Sequence, residues 1–174
     1  LNALAALAVA DTLGVDRSDS LKILSSFQGA ARRLELVGER SGVVVIDDYG
    51  HHPTELRASI AAIRERYPDR RLVVAFQPHQ HARLKALFND FAGAFEQADQ
   101  VLITEVYSVP GREESSQVDP QELVRAIQAH GQDCQYVGSL AELASNLGAL
   151  VQTNDVLMTI GATAITRVGR SWVA

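Results

Sequence analysis

Short apolar runs at residues 72–76, 101–106, 135–137 and 156–160 recur along this chain, with an amphipathic stretch between each pair. Runs of that length without polar alternation fit strands covered on both faces. The stretches around them keep helical spacing instead. Leu56, Ile60 and Ile63 form one stripe, and Leu84, Leu87, Phe88, Phe91 and Phe95 form a longer one. Leu123 and Ile127 mark a third, and Leu140, Leu143, Leu147 and Leu150 a fourth. Asp119-Pro120-Gln121-Glu122 and Ser139-Leu140-Ala141-Glu142 have the spacing of helix-opening capping boxes. Strand and helix alternating through short links predict an α/β fold. Its sheet is doubly wound and mostly parallel, flanked by helices, with right-handed crossovers.

Ahead of this pattern the chain reads differently. Two helices are expected, one ending near Leu13-Gly14 and one over residues 16–27 with Leu21, Leu24 and Phe27 on one face. A connector at 28–33 carries Arg32 and Arg33. A short strand at 34–37, a turn at 39–42 and the run Val43-Val44-Val45-Ile46 then predict a hairpin at the sheet edge. Helix-forming sequence from Leu1 onward, and an abrupt stop at Ala174, predict a piece of something longer.

Composition narrows the function classes. With 16 Lys+Arg against 21 Asp+Glu and a net charge of −5, no generic nucleic-acid or membrane-surface binding is expected. The single cysteine, Cys134, cannot form an internal disulfide, and a reduced, cytoplasmic compartment is the simplest expectation. No apolar run approaches the ~20 residues that span a bilayer, and no secretory leader is recognisable.

In a doubly wound sheet, ligands sit outside the carboxyl ends of the strands. The chemistry is therefore expected in Asp47-Asp48-Tyr49-Gly50-His51-His52-Pro53, in Gln77-Pro78-His79-Gln80-His81-Ala82-Arg83, in Glu105-Val106-Tyr107 with the polar loop 108–118, and in Gly161-Ala162-Thr163-Ala164. The first loop offers carboxylates for sugar hydroxyls, a tyrosine, and histidines beside a helix amino end that favours an anion. The same residues also fit a helix-capping loop with a solvated acidic pair. In the second loop, His79 and Arg83 stand four apart, a spacing that puts both on one side of a helix as a carboxylate or phosphate clamp. The alternative is an arginine lying on the surface while His79 bonds the backbone. His51, His52, His79 and His81 lack the spacing of a zinc site, and no metal ligand is assigned. The phosphate-loop motif is absent, and so is the dinucleotide fingerprint, whose absence weakens a dinucleotide dehydrogenase reading.

Taken in order, these residues resemble the Mur ligase family, and within it the alanine-adding branch. The resemblance is carried by Leu1-Asn2-Ala3-Leu4-Ala5-Ala6, Arg32-Arg33-Leu34-Glu35, Asp47 through Glu55, Phe76-Gln77-Pro78-His79 with Arg83, and Glu105-Val106-Tyr107. It implies that residues 1–30 are the helical end of a central ATPase domain or a linker, and that 31–174 are the family's carboxy-terminal domain. It implies ATP-dependent joining of L-alanine to UDP-N-acetylmuramate in bacterial peptidoglycan synthesis, by a longer chain of which this piece alone is inactive. Asn2, Arg33 and Asp48 would then touch ATP. Tyr49, His51, His79 and Arg83 would hold the amino acid, and Mg²⁺ would be held mainly by the central domain. A murein-tripeptide recycling member of the family, or a non-catalytic nucleotide-binding module, is the alternative. Two departures stand out: Gln80 and His81 replace an arginine and a tyrosine of the family pattern, and Gly161-Ala162-Thr163-Ala164 lacks its acid.

Overall fold

A computed structural model describes residues 2–27, 29–108 and 117–174. The chain divides into two compact units, Leu1–Ala30 and Ala31–Ala174.

The first unit is a helical pair, α1 (Asn2–Thr12) and α2 (Arg17–Ser26). Gly14, at φ +73°, makes the turn between them, and Asp16 caps α2 by accepting from the amides of Ser18 and Asp19. No residue of α1 is buried, and Leu21 and Phe27 of the expected apolar face are well exposed.

The second unit carries six strands in the order β1-β2-β6-β3-β4-β5. These are β1 (Glu35–Arg40), β2 (Val43–Asp48), β3 (Arg71–Phe76), β4 (Gln100–Ile103), β5 (Cys134–Tyr136) and β6 (Asp155–Ile160). β1 runs antiparallel to β2 as the expected edge hairpin, and all other pairings are parallel. Period-two alternation splits the strand side chains between two cores. Val44, Ile46, Val74 and Phe76 face one, and Val43, Val45, Val73 and Ala75 face the other. The first core is covered by α3 (Pro53–Arg66), α4 (His81–Ala86), α5 (Phe88–Ala92) and α6 (Pro120–Ala129). The second is covered by α7 (Leu140–Leu150) and α8 (Thr166–Val173). The doubly wound α/β expectation holds.

Some expectations need correction. The long stripe from Leu84 to Phe95 is two short helices, because Leu87 leaves helical geometry at φ −117°, ψ 24°, and Phe95 lies beyond the second of them. The stripe's spacing survives the break, so Leu84, Phe91 and Phe95 are still buried. β5 is half-exposed at the sheet's far edge, not covered on both faces. β4 stops at Ile103, although the Thr104 amide still donates to the Phe76 carbonyl and that of Glu105 to Gly138. The Ser139–Glu142 capping box forms in full, whereas Asp119 only accepts from the Gln121 amide. α8 was not anticipated; an ideal Cβ at its Gly169 would lie 2.9 Å from Val45, so glycine lets the helix approach the sheet closely. Cys134 is core, and burial pushes its thiol pKa up to about 12. Of the polar loop 108–118, residues 109–116 lie outside the described residues. No helix among the described residues is long and apolar enough to cross a membrane.

Candidate functional site

β2, β6 and β3 end side by side, and backbone hydrogen bonds continue past their last residues. The Gly161 amide donates to Asp48 at 3.1 Å, that of Gln77 to Ile160 at 3.2 Å, and that of Thr104 to Phe76 at 3.2 Å. The loops that follow therefore start from a fixed rim.

Asp47 and Asp48 close β2, pointing to opposite faces, and neither is solvated: they are 0% and 2% exposed. Asp47 accepts from the Thr159 hydroxyl at 2.8 Å and from Arg32 Nε at 2.9 Å. Asp48 accepts from the Leu34 amide at 2.9 Å, the Gly50 amide at 2.8 Å and the Ser59 hydroxyl at 3.3 Å. The solvated acidic pair is thus overturned. Buried carboxylates need such donors, since an unpaired charge there costs several kcal/mol. The loop is tied to residues 32–34, where Arg32 and Leu34 hold left-handed backbone (φ +57° and +49°). Such strain costs about 1 kcal/mol or more per residue and persists only where the surroundings enforce it.

The amino end of α3 is likewise occupied. His52 caps it through Nδ1, which accepts from the Thr54 amide, while Glu55 Oε2 accepts from the amides of His51 and His52 at 2.9 and 3.1 Å. Burial raises the Glu55 pKa, but these two hydrogen bonds, with the charges of His51 and Arg33, outweigh it and hold it below the usual value. The expectation of a free helix end awaiting an anion is corrected: the chain's own carboxylate sits there.

What the rim presents outward is aromatic and basic. Tyr49 is 38% exposed, its ring centroid 4.9 Å from the Arg32 guanidinium carbon and 6.0 Å from that of Arg33. It meets His51 edge-on at 5.4 Å; His51 lies 6.0 Å from His79; His79 stacks on Tyr107 at 5.4 Å. This row crosses the loops after β2, β3 and β4. His51 Nδ1 is 3.1 Å from the Tyr49 carbonyl. A carbonyl can only accept, so the neutral ring keeps its proton on Nδ1 and leaves Nε2 as an acceptor.

His79 is not placed by a helix. α4 begins at His81, after Gln80 in left-handed backbone (φ +67°), so the four-residue spacing argument for His79 and Arg83 fails. Instead a β-bridge between His79 and Tyr107 sets it, with the Gln80 amide donating to Tyr107 at 2.9 Å and the Tyr107 amide to Pro78 at 2.8 Å. Arg83 lies within α4, and its Nη1 is shut off from solvent with no hydrogen-bond partner among the described residues. His81 is buried, and its Nδ1 accepts from the Val118 amide at 3.0 Å, pinning the far end of the β4 loop. Gly161 gives its carbonyl to Arg32 Nη2, and the Thr163 hydroxyl bonds the Gln77 side chain, so this turn is bound into the rim. Among the described residues, no group of three His, Cys, Asp or Glu side chains could hold a metal.

The structure thus brings together Tyr49, His51 and His79, with Arg33 near Tyr49, and seals Asp48 inward. Asn2 opens α1 in the separate helical unit. Residues 32–163 match the family model for the Mur ligase, glutamate ligase domain. The chain belongs to the Mur ligase family. It is 44% identical over its full length to the UDP-N-acetylmuramate–L-alanine ligase of Nitratidesulfovibrio vulgaris, and 46% identical over 97% of its length to that of Roseiflexus sp.. It spans 38% and 35% of those two proteins. The crystal structure of UDP-N-acetylmuramate-alanine ligase from Thermotoga maritima superposes with a TM-score of 0.82 at 31% identity, over 99% of this chain and 36% of that one. A murein peptide ligase from Psychrobacter arcticus, at 22% identity and TM-score 0.66, shares the fold.

Three residues of this Mur ligase rim escaped the sequence reading: Arg32 as the inward arginine, Glu55 as the cap, and Tyr107 as the aromatic that stacks on His79. The Glu-Val-Tyr motif pointed to Tyr107's loop without assigning it a contact.

Proposed function

We propose that this chain is the amino-acid-binding, carboxy-terminal part of a bacterial, cytoplasmic ATP-dependent ligase that joins L-alanine to UDP-N-acetylmuramate in peptidoglycan synthesis. In this reading Ala31–Ala174 is that domain, and Leu1–Ala30 is the helical end of a central ATPase domain or a linker. The observation that carries it is Arg83: a cationic nitrogen shut away from water and without a partner among the described residues fits a carboxylate that arrives with the substrate, because bidentate arginine–carboxylate pairs are among the stronger hydrogen bonds. The aromatic row supplies Tyr49, His51 and His79 to enclose a small amino acid, with His51 Nε2 as an acceptor for its ammonium.

The chemistry is carboxylate activation. The γ-phosphoryl group of ATP passes to the sugar's lactyl carboxylate, releasing ADP; the alanine nitrogen then attacks that acyl carbon, and phosphate leaves as the amide forms and the nitrogen gives up its protons. This chain's part is to hold the amine in line, a gain of orientation worth several kcal/mol. Arg33, exposed beside Tyr49, is placed to neutralise phosphate charge. Asp48 is assigned to the ATP ribose on resemblance, although three of its lone pairs serve its own chain. Asn2 is assigned to adenine on resemblance alone. Mg²⁺ is assigned, on resemblance alone, mainly to the central domain of the longer protein.

Feeding the full-length enzyme ATP, UDP-N-acetylmuramate and either L-alanine or the murein tripeptide tests this. Phosphate release with L-alanine supports the reading. Release only with the tripeptide assigns the recycling reaction instead. The 174-residue chain alone is expected to form no amide.

A further inference from the structure

Arg32 and Arg33 are adjacent, yet their side chains do different things. Left-handed backbone at Arg32 turns its side chain inward, to 21% exposure, and leaves Arg33 outside. Inside, the Arg32 guanidinium reaches two neighbouring strand ends at once: Nε donates to Asp47 at the end of β2, and Nη2 to the carbonyl of Gly161 just past β6. Asp47 is fully buried, with its other oxygen held by Thr159 of β6. Arg32 also holds the site loop, because its carbonyl accepts from the Tyr49 amide at 2.8 Å and its guanidinium lies 4.9 Å from the Tyr49 ring. Its own amide donates to Glu35 Oε2 at 2.7 Å.

We infer that Arg32 is a positioning residue: it clamps the ends of β2 and β6 to the Tyr49 loop and so sets the geometry of the amino-acid site without touching the substrate. The inference rests on the ligase reading for its kinetic consequence but not for the clamp. A guanidinium is needed because its planar fork serves Asp47 and Gly161 together while its face lies on Tyr49; an ammonium is a point donor with no such face. Displacement of a site residue by about 1 Å is enough to cost one or two orders of magnitude in rate or binding.

The test uses Arg32→Lys and Asp47→Asn in the full-length enzyme, with amide hydrogen exchange measured in the 174-residue chain. Arg32→Lys is expected to raise the KM for L-alanine about tenfold while the KM for ATP stays within about twofold. Asp47→Asn keeps the partner's shape and should move the same constant in the same direction, and the double variant should add little beyond Arg32→Lys because both act on one clamp. In the 174-residue chain, Arg32→Lys should make the Tyr49 amide exchange at least about tenfold faster, since the loop opens locally. A lower melting temperature with an unchanged KM for L-alanine overturns the positioning role. Unchanged Tyr49 exchange overturns the clamp itself. A wild-type enzyme that joins no L-alanine breaks the ligase reading instead, and the exchange measurement still decides the clamp.

Discussion

The loop after β2 and the loop after β3 hold the same kinds of residue, acids or histidines with an arginine nearby, at neighbouring strand ends. In the first, both oxygens of Asp47 and of Asp48 accept hydrogen bonds from the chain itself, and Glu55 closes the helix end. In the second, Arg83 Nη1 faces no partner among the described residues. Among the described residues, charge is satisfied internally on one side of the rim and left open at Arg83 on the other. Residue type at a strand end therefore does not reveal whether a charge fastens the fold or waits for a ligand; the partner list does.

Removing Asp48 should break this contrast most severely. Asp48→Ala strips the acceptor from the Leu34 amide, the Gly50 amide and the Ser59 hydroxyl. A buried donor left unpaired costs about 1–3 kcal/mol, so a total near or above 3 kcal/mol is expected in denaturant unfolding of the 174-residue chain. A loss below about 0.5 kcal/mol, the range of ordinary surface changes, would move Asp48 to the open side of the comparison.

Arg83→Ala should do the reverse. With no partner among the described residues lost at Nη1, stability should stay within about 0.5 kcal/mol of wild type. In the full-length enzyme the KM for the amino acid should rise by the equivalent of about 1.5–3 kcal/mol, the worth of a hydrogen bond to a charged group, with far less effect on ATP. Equal effects on both substrates would show that Arg83 serves another role.

Between these lies Gly50. An ideal Cβ there would meet Asp48 Oδ1 at 2.8 Å and Ile160 Cδ1 at 3.1 Å. Gly50→Ala should therefore cost about 1–2 kcal/mol by overpacking, measured as a shift in unfolding midpoint. A neutral result would mean that the first loop is looser than its hydrogen bonds imply.

The fold was legible because periodicity is a local signal: four of the six strands carry their burial in consecutive residues, and Leu56, Ile60 and Ile63 show α3 at a glance. The broken helix was not, since Leu84 and Phe91 keep helical spacing across the break at Leu87. α8 was overlooked although Ile165, Val168 and Trp172 have helical spacing. Within the site, the loops themselves were readable from strand ends, and so was the company of Tyr49, His51 and His79. Arg32 was not, because its two partners stand 15 and 129 residues away. The cap on α3 was hidden by chemistry: a histidine in the capping position does not match the serine or threonine pattern that revealed Ser139.

The finest test of the contrast is the pH dependence of Glu55. Its pKa is lowered in the folded chain from the ordinary 4.5: burial opposes this, but the amides of His51 and His52 prevail. A group with a depressed folded pKa contributes stability that is fully present above its unfolded value and is lost as pH falls through the folded one. Glu55→Gln removes the charge while keeping one carbonyl acceptor, so at pH 7 the variant should melt slightly lower than wild type. Below pH 4.5 the two curves should converge as wild-type Glu55 is protonated. The side chain is 38% exposed, so solvent screens the effect and the difference should be the smallest of the four. A gap that persists unchanged into acid would mean that the glutamate holds α3 by shape alone, and the first loop's closure would then owe less to charge than that of Asp47 and Asp48.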